Sequence, residues 1–194
     1  MRKIDVENNI RYNENLIRQY QKSINQLYAK INDSNNQINK YNNNIALQKN
    51  EINKFNLQIN ELRNLKKKYQ NLQDIFSQKQ HQRIRTINKG LAYCNSLQAI
   101  EHYKSDINAL LRNQEYFNAF NQLSSAISII TDKINQISNQ INSAQMDITH
   151  NNRLIASKYY DNNNNQNKIN ALNNEIAYRR NRIKYWQSQL KYAT

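Results

Sequence analysis

Residues 10–59 read IRYNENLIRQYQKSINQLYAKINDSNNQINKYNNNIALQKNEINKFNLQI, and isoleucine returns at every seventh position: Ile10, Ile17, Ile24, Ile31, Ile38, Ile45, Ile52 and Ile59. An apolar residue repeated every seven keeps one seam of an α-helix facing a partner helix along its whole length. The repeat therefore predicts helix packed on helix, and it identifies no reaction.

A second series occupies the other half of the chain: Phe120, Ile127, Ile134, Ile141, Ile148, Ile155, Asn162, Ile169, Ile176, Ile183 and Leu190. Taking these ladder residues as heptad position a, position d lies three residues later and is mixed. In the first half it holds Asn13, Tyr20, Leu27, Ser34, Tyr41, Gln48, Phe55 and Leu62. In the second it runs from Leu123, Ile130 and Ile137 through Ala144, Asn151, Lys158 and Asn165 to Leu172, Arg179 and Trp186. The seam is weakest over 151–165, and a break is expected at 161–167, within an asparagine run. Polar residues at such positions cost stability but can select register and partner.

The composition agrees with long helices. The 194 residues contain no proline and one glycine, Gly90, so the usual punctuation of a globular fold is missing. The apolar fraction is low, which suits a stripe rather than a compact core. Asparagine is about a fifth of the chain. Together with isoleucine, lysine and tyrosine it belongs to A/T-rich codons, so part of this bias reflects a genome rather than a function.

The two ladders are out of phase, because Ile59 and Phe120 are 61 positions apart. Three–four spacing persists between them, through Leu65, Tyr69, Leu72 and Phe76, then Ile84, Ile87 and Leu91, then Ile100, Tyr103, Ile107 and Leu110. A reversal accounts for the slip. If the chain turns at 89–91, residue i faces residue 179 − i, and Ile59 meets Phe120, Ile31 meets Ile148 and Ile10 meets Ile169. The midpoint falls at Gly90, a residue that readily ends a helix. The expected fold is all-α, a long antiparallel helical hairpin or coiled coil. Its first heptad helix covers 1–88 (strongest at 4–62), its turn 89–91 and its second helix 92–194, with the seam over 117–190.

Chemistry is sparse. His81, His102 and His150 have no helical metal-site spacing between them. Cys94 and His102 are eight residues apart, roughly 12 Å along a helix, too far for a thiolate–imidazole pair. There is no Gly-rich phosphate loop. The expectation is a protein that is not an enzyme and uses no cofactor or metal. A single cysteine excludes an intrachain disulfide and a cysteine-based zinc cluster. The start of the chain lacks an apolar signal region and no run is long enough for a membrane span. A bacterial protein is expected, cytoplasmic or exported without a cleavable signal.

The net charge is +14, which suits nucleic acid, an anionic surface or an acidic protein. One basic group, Lys66, Lys67, Lys68, Lys79, Arg83, Arg85 and Lys89, surrounds the expected tip. Another, Arg179, Arg180, Arg182, Lys184 and Lys191, lies at the carboxyl end. Nucleic-acid binding needs such charges on one surface, and no recognition-helix motif accompanies them, so this is the lesser reading.

In the 179 − i register, residues beyond about 178 have no partner in the first arm. Ile183, Trp186 and Leu190 would then form an uncovered seam, flanked by Tyr185, Tyr192, Arg179 and Arg182. Tryptophan among tyrosines and arginines is a common composition of binding hot spots. These residues are the expected partner-binding site.

The plan of heptad helix, turn with a lone glycine and second seamed helix, with Phe117-Asn118-Ala119-Phe120-Asn121-Gln122-Leu123 leading into Ala126-Ile127, Ile130, Ile134, Ile137 and Ile141, resembles a known family. It is similar to the helical hairpins of the Trp-X-Gly superfamily and to the small helical partners of LXG toxins in bacterial type VII secretion. The resemblance implies a non-enzymatic role, pairing with a helical targeting domain. The chain departs from that family at the turn, where Asn88-Lys89-Gly90 lacks the tryptophan, and it lacks the tyrosine-plus-acid export signal. Two alternatives stand beside it: a coiled coil that self-assembles as a homo-oligomer, and a basic binder of nucleic acid or an anionic surface.

Overall fold

A computed structural model describes residues 2–93, 106 and 114–193. The fold is an all-α helical hairpin, with no strand among the described residues. Helix α1 spans Lys3–Tyr93 and helix α2 spans Gln114–Leu190. Asp5 sits in the first turn of α1, where an acid complements the positive end of the helix dipole. It is held by Arg2, whose Nε lies 3.1 Å from Asp5 Oδ2.

Asparagine is a mediocre helix former because its amide competes for backbone groups. Near the start of α1 that competition is turned inward. Asn9 Nδ2 donates to the Asp5 carbonyl at 2.8 Å, and Asn13 Nδ2 to the Asn9 carbonyl at 2.7 Å. Such bonds reach back four residues and satisfy the amide without leaving the helix. Burial of the seam then stabilises helices that propensity alone would leave marginal.

Two boundaries differ from the sequence reading. Gly90 does not end the first helix. It lies inside α1 with no positive φ, so the chain does not turn at 89–91. The stretch between Tyr93 and Gln114, where the second helix is expected to begin, lies almost wholly outside the described residues. The expected break at 161–167 is absent, because α2 runs unbroken through the asparagines there.

The chain divides into two compact units, residues 1–48 with 146–194 and residues 49–145. In the first, Asn162 Nδ2 donates to Asn35 Oδ1 at 2.9 Å and Gln48 Nε2 to Asp147 Oδ2 at 3.3 Å. Facing residue numbers thus total 195 to 197 rather than 179. At a total of 196, each position a of one helix faces position d of the other. Ile24 meets Leu172, Tyr20 meets Ile176 and Leu27 meets Ile169, within one cluster that also holds Ile17 and Ile31. Where α2 is polar, Ile38 is buried opposite Lys158, whose aliphatic stem can cover it.

In the second unit, Gln73 Nε2 donates to Ser124 Oγ at 2.7 Å, in the same register. Ile59, Ile130, Ile137 and Ala144 are buried. Beyond them the seam turns aromatic. Phe76 stacks on Tyr116 with centroids 4.9 Å apart, and Tyr116 lies 6.0 Å from Phe120.

The a-to-d′ match has a geometric cause. Along α1 the seam advances by three residues and then four. Read in the same spatial direction, an antiparallel partner that begins at its own a position steps by four and then three. Pairing a with a′ misaligns every second layer by one residue. Pairing a with d′ makes the steps coincide, so all layers interlock.

Candidate interaction surface

The register decides the fate of the expected binding site. Ile183 falls opposite Asn13, Trp186 opposite Ile10 and Leu190 opposite Val6. Val6 and Asn13 are buried, and Ile183, Trp186 and Leu190 are half-buried. The seam at 183–190 is therefore covered by the start of α1, which corrects the expectation that it outruns its partner.

The flanking residues close over it. The Arg182 guanidinium lies 5.3 Å from the Trp186 ring centroid and 5.6 Å from that of Tyr185. Tyr185 meets Trp186 edge-on at 5.1 Å. Arg179, at position d, is half-buried, with its Nη2 3.6 Å from Glu175 Oε2 and its guanidinium beside the Tyr178 ring. Outward, Tyr178, Tyr185 and Tyr192 are exposed at seven-residue intervals, all at position c, beside the exposed Arg180, Arg182 and Lys184. The sequence reading named Tyr185 and Tyr192 but missed Tyr178, whose spacing was the available signal.

The basic group around the expected tip divides: Lys68, Lys79 and Lys89, at positions c, g and c, are exposed on one flank of α1, and the rest point elsewhere. Lys66 occupies position a and is half-buried opposite the buried Ile130. Lys67 and Lys68 are exposed at positions b and c, on opposite sides of that seam, and Arg83, Arg85 and Lys89 are exposed at d, f and c. Only part of the group therefore shares a surface, and no recognition-helix motif accompanies it.

A different feature stands out in the second unit. The three–four series through residues 65–76 is two series. Tyr69 and Phe76, at position d, are half-buried in the seam. Leu65 and Leu72, at position g, are 41% and 52% exposed, and Ile75, at position c, is 50% exposed. Ile129, at position c of α2, is 65% exposed. Positions c and g of the two helices share one flank of an antiparallel pair, so these four residues lie on the same side. The opposite flank of this unit, positions b and e, is mostly polar, with Asn60, Arg63, Lys67, Gln70, Ser77, Ser128 and Asn135, and carries one exposed large apolar residue among those described, Phe117. The spacing Leu65–Leu72–Ile75 was the signal in the sequence. It was masked because residues 65, 69, 72 and 76 also read as one continuous seam.

Among the described residues no group of three or more His, Cys, Asp or Glu could hold a metal ion, and no helix is long and apolar enough to cross a membrane. No protein-family model, curated protein or solved structure matches the chain.

Proposed function

We propose that this hairpin is a non-enzymatic interaction protein that binds a helical partner, and that the partner is the helical targeting segment of an LXG toxin of bacterial type VII secretion. The observation that carries the first part is the set of large apolar residues left outward on one flank, Leu65, Leu72, Ile75 and Ile129. Apolar side chains grouped on an exposed face commonly mark interaction sites, and three–four spacing suits a helix laid alongside. Both units use their seam internally, so docking moves from the seam, where the sequence had suggested it, to the flank. The toxin partner is supported by the resemblance of plan alone.

Co-expression with such a targeting segment tests the proposal. A stable complex of the two chains by size-exclusion chromatography with light scattering is expected. A chain that stays monomeric beside the segment removes the toxin reading. A homo-oligomer of the chain alone favours self-assembly instead.

A further inference from the structure

We infer that the flank of the second unit bearing Leu65, Leu72, Ile75 and Ile129 is a docking groove for an amphipathic helix whose own flanks are acidic. The inference rests on the reading that this protein binds a helical partner, and it adds which face is used and what chemistry the partner has.

The face is selected by asymmetry. On α1 the strip of c and g positions runs Glu61, Leu65, Lys68, Leu72, Ile75 and Lys79. Leu65 to Ile75 spans ten residues, about three helical turns and roughly 15 Å. Alongside it, α2 contributes Ile129 and Lys133 at its own c and g positions. The apolar residues therefore line a trough between two helices, the place where a third helix seats in a bundle. The opposite flank offers amides, hydroxyls and charges at the equivalent positions, with Phe117 its one exposed large apolar residue among those described, against four on this flank.

The occupant is selected by charge. Lys68, Lys79 and Lys133 are all exposed and border the apolar residues, with Glu61 the acid in the same strip. Acids at the edges of a docked helix would meet these ammonium groups in the way e and g residues select coiled-coil partners. A second copy of this chain is a poor occupant. Each copy carries +14, so two copies repel, and an antiparallel pairing of the strips sets Glu61 against Lys79 but leaves Lys68 and Lys133 of both copies without an acid.

The test uses the full chain and two synthetic four-heptad amphipathic peptides with identical Leu/Ile seams, one with glutamate on its flanks and one with lysine. Binding is read by fluorescence anisotropy. The acidic peptide is expected to bind saturably, to weaken as salt is raised, and to bind at least ten-fold better than the basic one. Leu72→Glu is expected to weaken it at least ten-fold. Asn60→Glu, which adds the same charge on the opposite flank, is expected to change it less than three-fold. Equal binding of both peptides, or equal effects of the two substitutions, overturns the assigned face and chemistry while leaving a helical partner standing. Failure of both peptides to bind a monomeric chain overturns the helical-partner reading as well. A homodimer dissolved by Leu72→Glu makes the second copy the occupant and also overturns the inference.

Discussion

Ile169→Ala probes the packing that holds the first unit together. Ile169 is fully buried and sits in one cluster with Ile24 and Ile176, against which Leu27 and Leu172 also pack. The substitution removes three carbon atoms from a site with no access to water. At about 0.8 kcal/mol per methylene the transfer loss alone is about 2.4 kcal/mol. A cavity left between two long helices adds to this, since neither backbone can close on it without disturbing adjacent layers. The expected total is about 3–4 kcal/mol, inside the range of about 2–5 kcal/mol seen for isoleucine truncations in cores. The control is Ile129→Ala, where the side chain is 65% exposed and alanine has the better helix propensity, so the change should stay within about 0.5 kcal/mol. Equilibrium urea unfolding followed by circular dichroism reads both. A loss below about 1 kcal/mol for Ile169→Ala, or one no larger than that for Ile129→Ala, would refute the internal seam as the source of stability.

Asn13 is buried at position d with its Oδ1 unpartnered, while its Nδ2 bonds the Asn9 carbonyl. Asn13→Leu removes a costly orphan acceptor and is expected to stabilise by about 1–2 kcal/mol, seen as a higher urea midpoint at unchanged slope. Gly90→Ala should stabilise by about 0.5–1 kcal/mol, because Gly90 is helical and an added Cβ meets nothing within 4 Å; a loss of stability would restore a turn at 89–91. Truncation after Tyr178 should strip the cover from Val6, Ile10 and Asn13, so amides in that stretch lose hydrogen-exchange protection while those near Ile59 keep theirs.

The heptad isoleucines made the class of fold legible, since a seven-residue repeat admits little except helices packed along a seam. They did not settle how the helices meet. Every register displaced by whole heptads preserves the ladder, and pairing isoleucine with isoleucine looks natural in sequence although antiparallel geometry interlocks a with d′. Gly90 misled because its freedom to turn is permission rather than instruction, and a long helix absorbs one glycine at modest cost. The asparagines at 162–165 misled in the same way. Once the register moved, Ile183, Trp186 and Leu190 ceased to be an open surface. Leu65 and Leu72 emerged as one, because three–four spacing alone does not tell a seam from a second stripe beside it.

The register is the claim on which the rest depends, and paired cysteines test it directly. In a Cys94→Ser background, Asn35→Cys is combined with either Asn162→Cys or Ala144→Cys. Asn35 and Asn162 are hydrogen-bonded across the hairpin, whereas Ala144 is the residue that would face Asn35 at a total of 179. The two candidates lie 18 residues apart on α2, roughly 27 Å along its axis, beyond the reach of one disulfide. Mild oxidation of the dilute protein should close the 35–162 pair within a single chain and leave the 35–144 pair reduced. Closure of 35–144 instead would contradict the account, uncovering Ile183, Trp186 and Leu190 and returning them to the role of binding surface.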